Sequence, residues 1–129
     1  MKSREEKNEG QRKYDLEKRT EKFGTSVVSF AKEIPRNTVT LPLIAQFVKA
    51  GTSIGANYCE ADCAESRKDF EHKIGICAKE AKETKYWLQM LFVAVPELHA
   101  EGATLQQEVH ELRLIFITII RNSRANDYS

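Results

Sequence analysis

Phe70, Ile74, Cys77, Ala81, Thr84, Leu88, Leu91 and Val95 recur at spacings of 4, 3, 4, 3, 4, 3 and 4. Steps that alternate between three and four put side chains on one stripe of an α-helix, whereas a half-buried strand needs a period of two. The stripe runs for about seven helical turns. Only other long helices lying alongside can cover it. Ser66 is predicted to cap its start, three residues before Asp69, in a variant of the capping box. Pro96 closes it.

Three further segments carry the same repeat. Leu16, Thr20, Phe23, Val27, Phe30 and Ile34 form a seam that Pro35 ends, because the residue before a proline avoids the helical region. A second helix is predicted from about Leu41 to Ala64, with Thr40 at its N-cap and Pro42 in its first turn. Its large side chains are Ile44, Phe47, Ile54 and Tyr58. A stripe of smaller residues runs beside them: Ala45, Val48, Thr52, Gly55, Cys59 and Cys63. The last helix is predicted from about Thr104 to Ser123, with Leu105, Val109, Leu112, Phe116 and Ile119 on its seam and Gly102 making the turn before it. Four amphipathic helices with short connections predict an all-α fold, an antiparallel up-down-up-down four-helix bundle. With 129 residues the chain suits one domain, expected over residues 14–124. Residues 1–13 are polar and are expected to form a disordered or frayed N-terminal arm, with 125–129 as a C-terminal tail.

Two segments hold more apolar surface than a bundle core needs. "LIFITII", residues 114–120, is apolar nearly all round, and "YWLQMLFVAV", residues 86–95, places large side chains off the seam. A helix apolar on every side must be covered on every side. Scattered exposure beside a wide core face accounts for some of this. The fuller account is a subunit interface built from Trp87, Met90, Phe92, Leu114, Ile115, Ile117 and Ile120, hence a homo-oligomer.

The stretch "VKAGTSIGANYCEADCAESRKDFEHK" raises the question of a site. Cys59 and Cys63 share a helix face, and His72 and Cys77 would complete a zinc tetrad. Yet Cys77 lies on the core seam and Cys59 on the small-residue stripe, and free cysteine is among the most buried residue types. The cysteines are therefore read as small packing residues and no metal is expected. Gly51 and Gly55 inside a helix each cost roughly 1 kcal/mol relative to alanine, which close approach of a neighbouring backbone would offset. They make no phosphate loop, since no G-K-[ST] follows. Asn57 and Glu60 are not explained by small size; hydrogen bonding across the bundle is the favoured reading, a functional surface the other. His72, His99 and His110 assemble no nucleophile–base pair. A di-iron bundle needs two Glu-x-x-His motifs, which are absent. The chain is expected to be non-enzymatic and to carry no cofactor.

Lys and Arg total 20 against 19 Asp and Glu, a net charge of +1. Nucleic-acid binding would therefore depend on local clusters rather than on an overall basic excess. The candidates are Arg12, Lys13, Lys18, Arg19 and Lys22 in the first helix, then Arg36 and Lys49, and Arg67, Lys68 and Lys73 around the third helix. Oligomerisation would repeat any such patch. The charged start MKSREEKNEGQRK does not resemble a secretory leader and no run is apolar enough to span a membrane. A cytoplasmic protein with reduced thiols and no membrane partner is expected.

Ser53, Ile54, Asn57 and Glu60, then Lys68, Asp69 and Phe70, then Lys79, Glu80, Glu83, Thr84, Tyr86, Trp87 and Leu88 together resemble the pattern of the 23S rRNA intervening-sequence proteins, a family of small bacterial four-helix bundles. The resemblance spans about Tyr14 to Arg124. It implies an antiparallel bundle that assembles as a ring, typically a homopentamer. It marks Ser53, Asn57, Glu60, Glu80 and Glu83 as motif polar residues. Members are encoded within insertions in ribosomal RNA genes or elsewhere in bacterial genomes. A related branch serves the reverse transcriptase of diversity-generating retroelements and binds nucleic acid through basic surfaces, from which the near-neutral charge here departs. The expected role is an oligomeric scaffold associated with RNA or a ribonucleoprotein through phosphate contacts; the alternative is a protein-interaction module with no nucleic-acid role.

Overall fold

A computed structural model describes the backbone of residues 4–126 and the side chains of residues 16–126. Four long α-helices, α1 (Arg4–Lys32), α2 (Thr40–Asp62), α3 (Arg67–Ala94) and α4 (His99–Asn126), make up the chain, with a short 3-10 helix at Pro96–Leu98 and no strand among the described residues. The α1 helix starts well ahead of the seam that predicts it. The ends of the expected arm and tail, residues 1–3 and 127–129, lie outside the described residues.

The four seams meet in one core. Val27, Phe47, Ile54, Ile74, Leu88, Leu91, Val109, Leu112 and Phe116 are fully buried within it. Neighbouring helices meet along consistent registers. Glu60 meets Lys73 and Ile54 meets Cys77 between α2 and α3. Ser123 donates to Glu71, Gln106 donates to Gln89, and Lys85 lies 3.3 Å from His110 between α3 and α4. Among the described residues of the four long helices, the α2–α3 contact is the most extensive and that between α1 and α4 the least.

The helix ends show where local chemistry overrides the pattern. Ser66 caps α3 as predicted, its hydroxyl accepting from the Asp69 N–H at 3.0 Å. At α2 the expected cap fails, because Thr40 is buried and its hydroxyl donates to Pro35 O at 2.6 Å. Asn37 takes over: its Oδ1 accepts from the N–H groups of Val39 and Thr40, both at 2.9 Å. Gly102 does not make a turn either. It lies inside α4, buried, with the Phe92 ring packed where a Cβ would stand. The α4 helix begins before it, at His99, whose ring lies 4.8 Å from Phe92.

The glycines of α2 do mark a close approach, to α1. A Cβ on Gly51 would stand 2.8 Å from both γ carbons of Val27, and one on Gly55 would stand 3.4 Å from the backbone oxygen of Thr20. The reading of the rest of the stripe as packing surface is corrected: Ala45, Thr52, Cys59 and Cys63 are exposed. Val48, against the core edge, and Gly55, beneath α1, are the partly covered members of the stripe.

Gly51→Ala is therefore expected to destabilise the fold by about 1–2 kcal/mol, overpacking against Val27 outweighing the gain in helix propensity. A double-mutant cycle with Val27→Ala, followed by urea unfolding, should show favourable coupling, since removing the γ carbons makes room for the new methyl. Additive losses would contradict the close approach.

Candidate functional site

Of the basic candidates, Arg12 and Lys13 lie outside the residues whose side chains are described. The others do not gather into a single patch. Arg19 reaches across from α1 to α4, its Nε and Nη2 donating to the two Glu108 oxygens at 2.9 and 2.7 Å, and Nη2 donating also to Glu111 at 2.9 Å. The Glu108 hydrogen bond raises the Arg19 pKa, against partial desolvation. This fork-to-fork clamp joins residues 89 apart, and nothing in the spacing of either helix announces it. Lys73 donates to Glu60 at 2.8 Å. Lys22, Arg36, Arg67 and Lys68 are exposed, on α1, the α1–α2 connection and the start of α3. Lys18, Arg19 and Lys22 line a groove whose other wall holds Glu108 and Glu111 of α4. Acids thus accompany the basic side chains of α1.

The motif polar residues come together on the outer side of the α2–α3 seam. Ser53 donates to Lys49 O at 2.6 Å and Asn57 donates to Ser53 O at 2.8 Å, so both bond along their own helix. Glu60 alone crosses, to Lys73. The expectation of a cross-bundle tie thus holds for Glu60 and not for Asn57. On α3, Glu80 and Glu83 are half-buried. The Glu80 carboxyl is pushed above its usual pKa, first by desolvation and then by Glu83, while Lys79 and Lys49 oppose the shift. No described buried side-chain nitrogen or oxygen lacks a partner. This seam is a satisfied polar surface with one carboxylate held uncomfortably.

The interface candidates divide. Phe92 is corrected to a core residue, 6% exposed, because the notch at Gly102 accepts its ring. Trp87, Ile115 and Ile120 are half-buried and pack against the core edge; Met90 and Ile117 are half-buried, and Leu114 is exposed. Tyr86 and Val93, which were not among the candidates, are the more open, at 55% and 70%. They share the solvent stripe of α3 with Met90, at steps of four and three. Leu114 and Ile115 line a second feature, an open groove of about 1110 Å³ with Leu16, Tyr58, Phe70 and Ile119 and the polar Arg19, Arg67 and Asn122. Cys77 is buried and its thiol pKa is pushed up to about 12 by desolvation. Among the described residues no group of three or more His, Cys, Asp or Glu is placed to hold a metal ion, and no helix is long and apolar enough to cross a membrane.

The family model described as 23S rRNA-intervening sequence protein matches residues 12–117. The chain belongs to this family. Among solved structures, a crystal structure of a protein of unknown function from the S23 ribosomal protein family of Bacteroides thetaiotaomicron VPI-5482 is similar, at 30% identity and a TM-score of 0.77, over 84% of this chain and 97% of that one. No curated protein matches the sequence.

Glu80 gives a pH test. Its carboxyl binds a proton more readily in the folded chain than in the unfolded one, so ionising it at neutral pH opposes folding. Glu80→Gln is expected to raise the melting temperature slightly at pH 7, and the advantage should shrink as pH falls through the carboxylate range. Thermal melts across that range that show the advantage growing toward acid pH would contradict this sign.

Proposed function

We propose that the protein is a non-enzymatic homo-oligomeric scaffold of the cytoplasm. Its subunit is an antiparallel up-down-up-down bundle, and α3 and α4 carry the subunit interface of a ring. The observation that carries this reading is the apolar surface left uncovered on those two helices: Val93, Tyr86 and Leu114 are exposed at 70%, 55% and 47%, with Trp87 and Met90 half-buried beside them. Aromatic side chains and methionine are enriched at interface cores. The consistent pairings of Glu60 with Lys73, Ile54 with Cys77 and Glu71 with Ser123 support helices that alternate in direction. Family membership supports the ring and a pentameric count.

Light scattering at micromolar concentration is expected to give a mass several times the 14.8 kDa of one chain. Val93→Glu should lower that mass while leaving the helical circular dichroism unchanged, because the position is solvent-facing within one subunit. A monomeric wild type would remove the proposal.

A second reading adds RNA. It is favoured by the description of the family as 23S rRNA-intervening sequence proteins and by the exposed Lys22, Arg36, Arg67 and Lys68, which a ring would repeat around its axis. Contact would be to phosphates, with little base readout. Titration with a structured RNA at about 50 and about 200 mM salt should show binding that weakens steeply at the higher salt. Absence of binding at the lower salt would leave a protein-interaction module with no nucleic-acid role.

A further inference from the structure

We propose that Cys59 and Cys63 form a dithiol site for a soft, thiophilic metal or metalloid that takes two sulfur ligands. Both thiols are exposed, four residues apart at the C-terminal end of α2. Cys59 lies in the last turn of α2 and Cys63 is its C-cap, where the N–H donates to Glu60 O at 3.2 Å, an i to i−3 bond that tightens the helix end and keeps Cys63 one turn beyond Cys59. Side chains at this spacing have Cβ atoms about 5–6 Å apart. Two Sγ atoms turned toward each other close that span to what one centre bridges with metal–sulfur bonds of about 2.3 Å.

The surroundings select the ligand. Cys59 opens onto the α1–α2 groove, where Thr52, Gly55 and Ala56 leave room beside the sulfur. Among the described residues no third His, Cys, Asp or Glu joins the pair, so these residues assemble no closed tetrahedral zinc site. Thiolate sulfur prefers soft centres, and two-coordinate capture suits those. Glu17 and Glu21 line the same groove. A neutral adduct, in which the thiol protons leave with the displaced oxygen and the centre compensates the charge of the two thiolates, avoids repulsion there. The third thiol, Cys77, is buried and held protonated, so it does not compete.

Phenylarsine oxide is the probe. Two sulfur–arsenic bonds form, the arsenic–oxygen bonds break, and the oxygen leaves as water with the two thiol protons; nothing is oxidised or reduced. Intact-mass spectrometry of the reduced protein should show one adduct per chain that survives excess mercaptoethanol and is removed by dithiothreitol. Because the second sulfur attaches intramolecularly, Cys59→Ser and Cys63→Ser should each weaken retention on the order of a hundredfold. Both positions are exposed, so circular dichroism should show these variants folded. Single-cysteine variants that retain the adduct as well as the wild type, or an adduct that links two chains, would overturn the proposal.

Discussion

The approach of α1 onto α2 at Gly51 and Gly55 fixes where α1 can lie. Val27 is fully buried above Gly51, and the backbone at Thr20 rests on Gly55. Among the described residues α1 and α4 meet more sparingly than α1 and α2 do. Their meeting rests on the Arg19 clamp and on Phe30, whose ring tip lies 3.2 Å from where a Cβ of Gly102 would stand. Glycine at the crossing sets the depth of α1 on α2. Arg19, on the other side of α1, lines two grooves, one with Leu114 and Ile115 and the other with Glu108 and Glu111. A helix that stood further from α2 would lose Val27 and Phe23 from the core.

Much of this was legible because burial has a period. The seams of α1, α3 and α4 could be read to the residue, and Thr20 and Thr84 sit buried on them as the spacing requires, each hydroxyl donating to a carbonyl of its own helix. Features that depend on one atom meeting another were not legible. HAEGA has the composition of a turn, and nothing local says that Phe92 needs the space above Gly102. Asn37 and Thr40 both have capping side chains, and only the burial of Thr40 decides between them. Cys59 and Cys63 were misjudged because residue-type preference stood in for position. Their stripe is rotated away from the line through Phe47, Ile54 and Tyr58, and both thiols are exposed.

The charges illustrate a second limit. A count of 20 against 19 says that the total is balanced, not how the balance is arranged. Arg19 with Glu108 and Glu111, and Lys73 with Glu60, cancel over hydrogen-bond distances. Fields from such pairs fall off quickly and are screened within about 8 Å at physiological ionic strength. Any attraction for a polyanion must come from cations placed away from these pairs, and from their repetition if subunits assemble. Within a single subunit the pairs serve the fold more than the field: among the described residues of the long helices, the Arg19 clamp spans the sparsest contact and the Lys73 pair the richest one.

The α2–α3 polar seam and the apolar stripe of α3 are not independent. Glu83 precedes Tyr86 by three residues and Met90 by seven, so covering the stripe with a second copy would also remove water from Glu83 and, one turn earlier, from Glu80. Glu80 already resists ionisation through desolvation and through Glu83. Further burial would strengthen both causes unless the partner supplied a cation, as Lys49 and Lys79 do now in part. Assembly and protonation are then linked: a surface that takes up protons on association is favoured as pH falls, and one that gains a lysine or arginine from its neighbour is not. The pH dependence of the oligomer mass therefore reports whether the acids of the α3 motif face a cation across the subunit boundary.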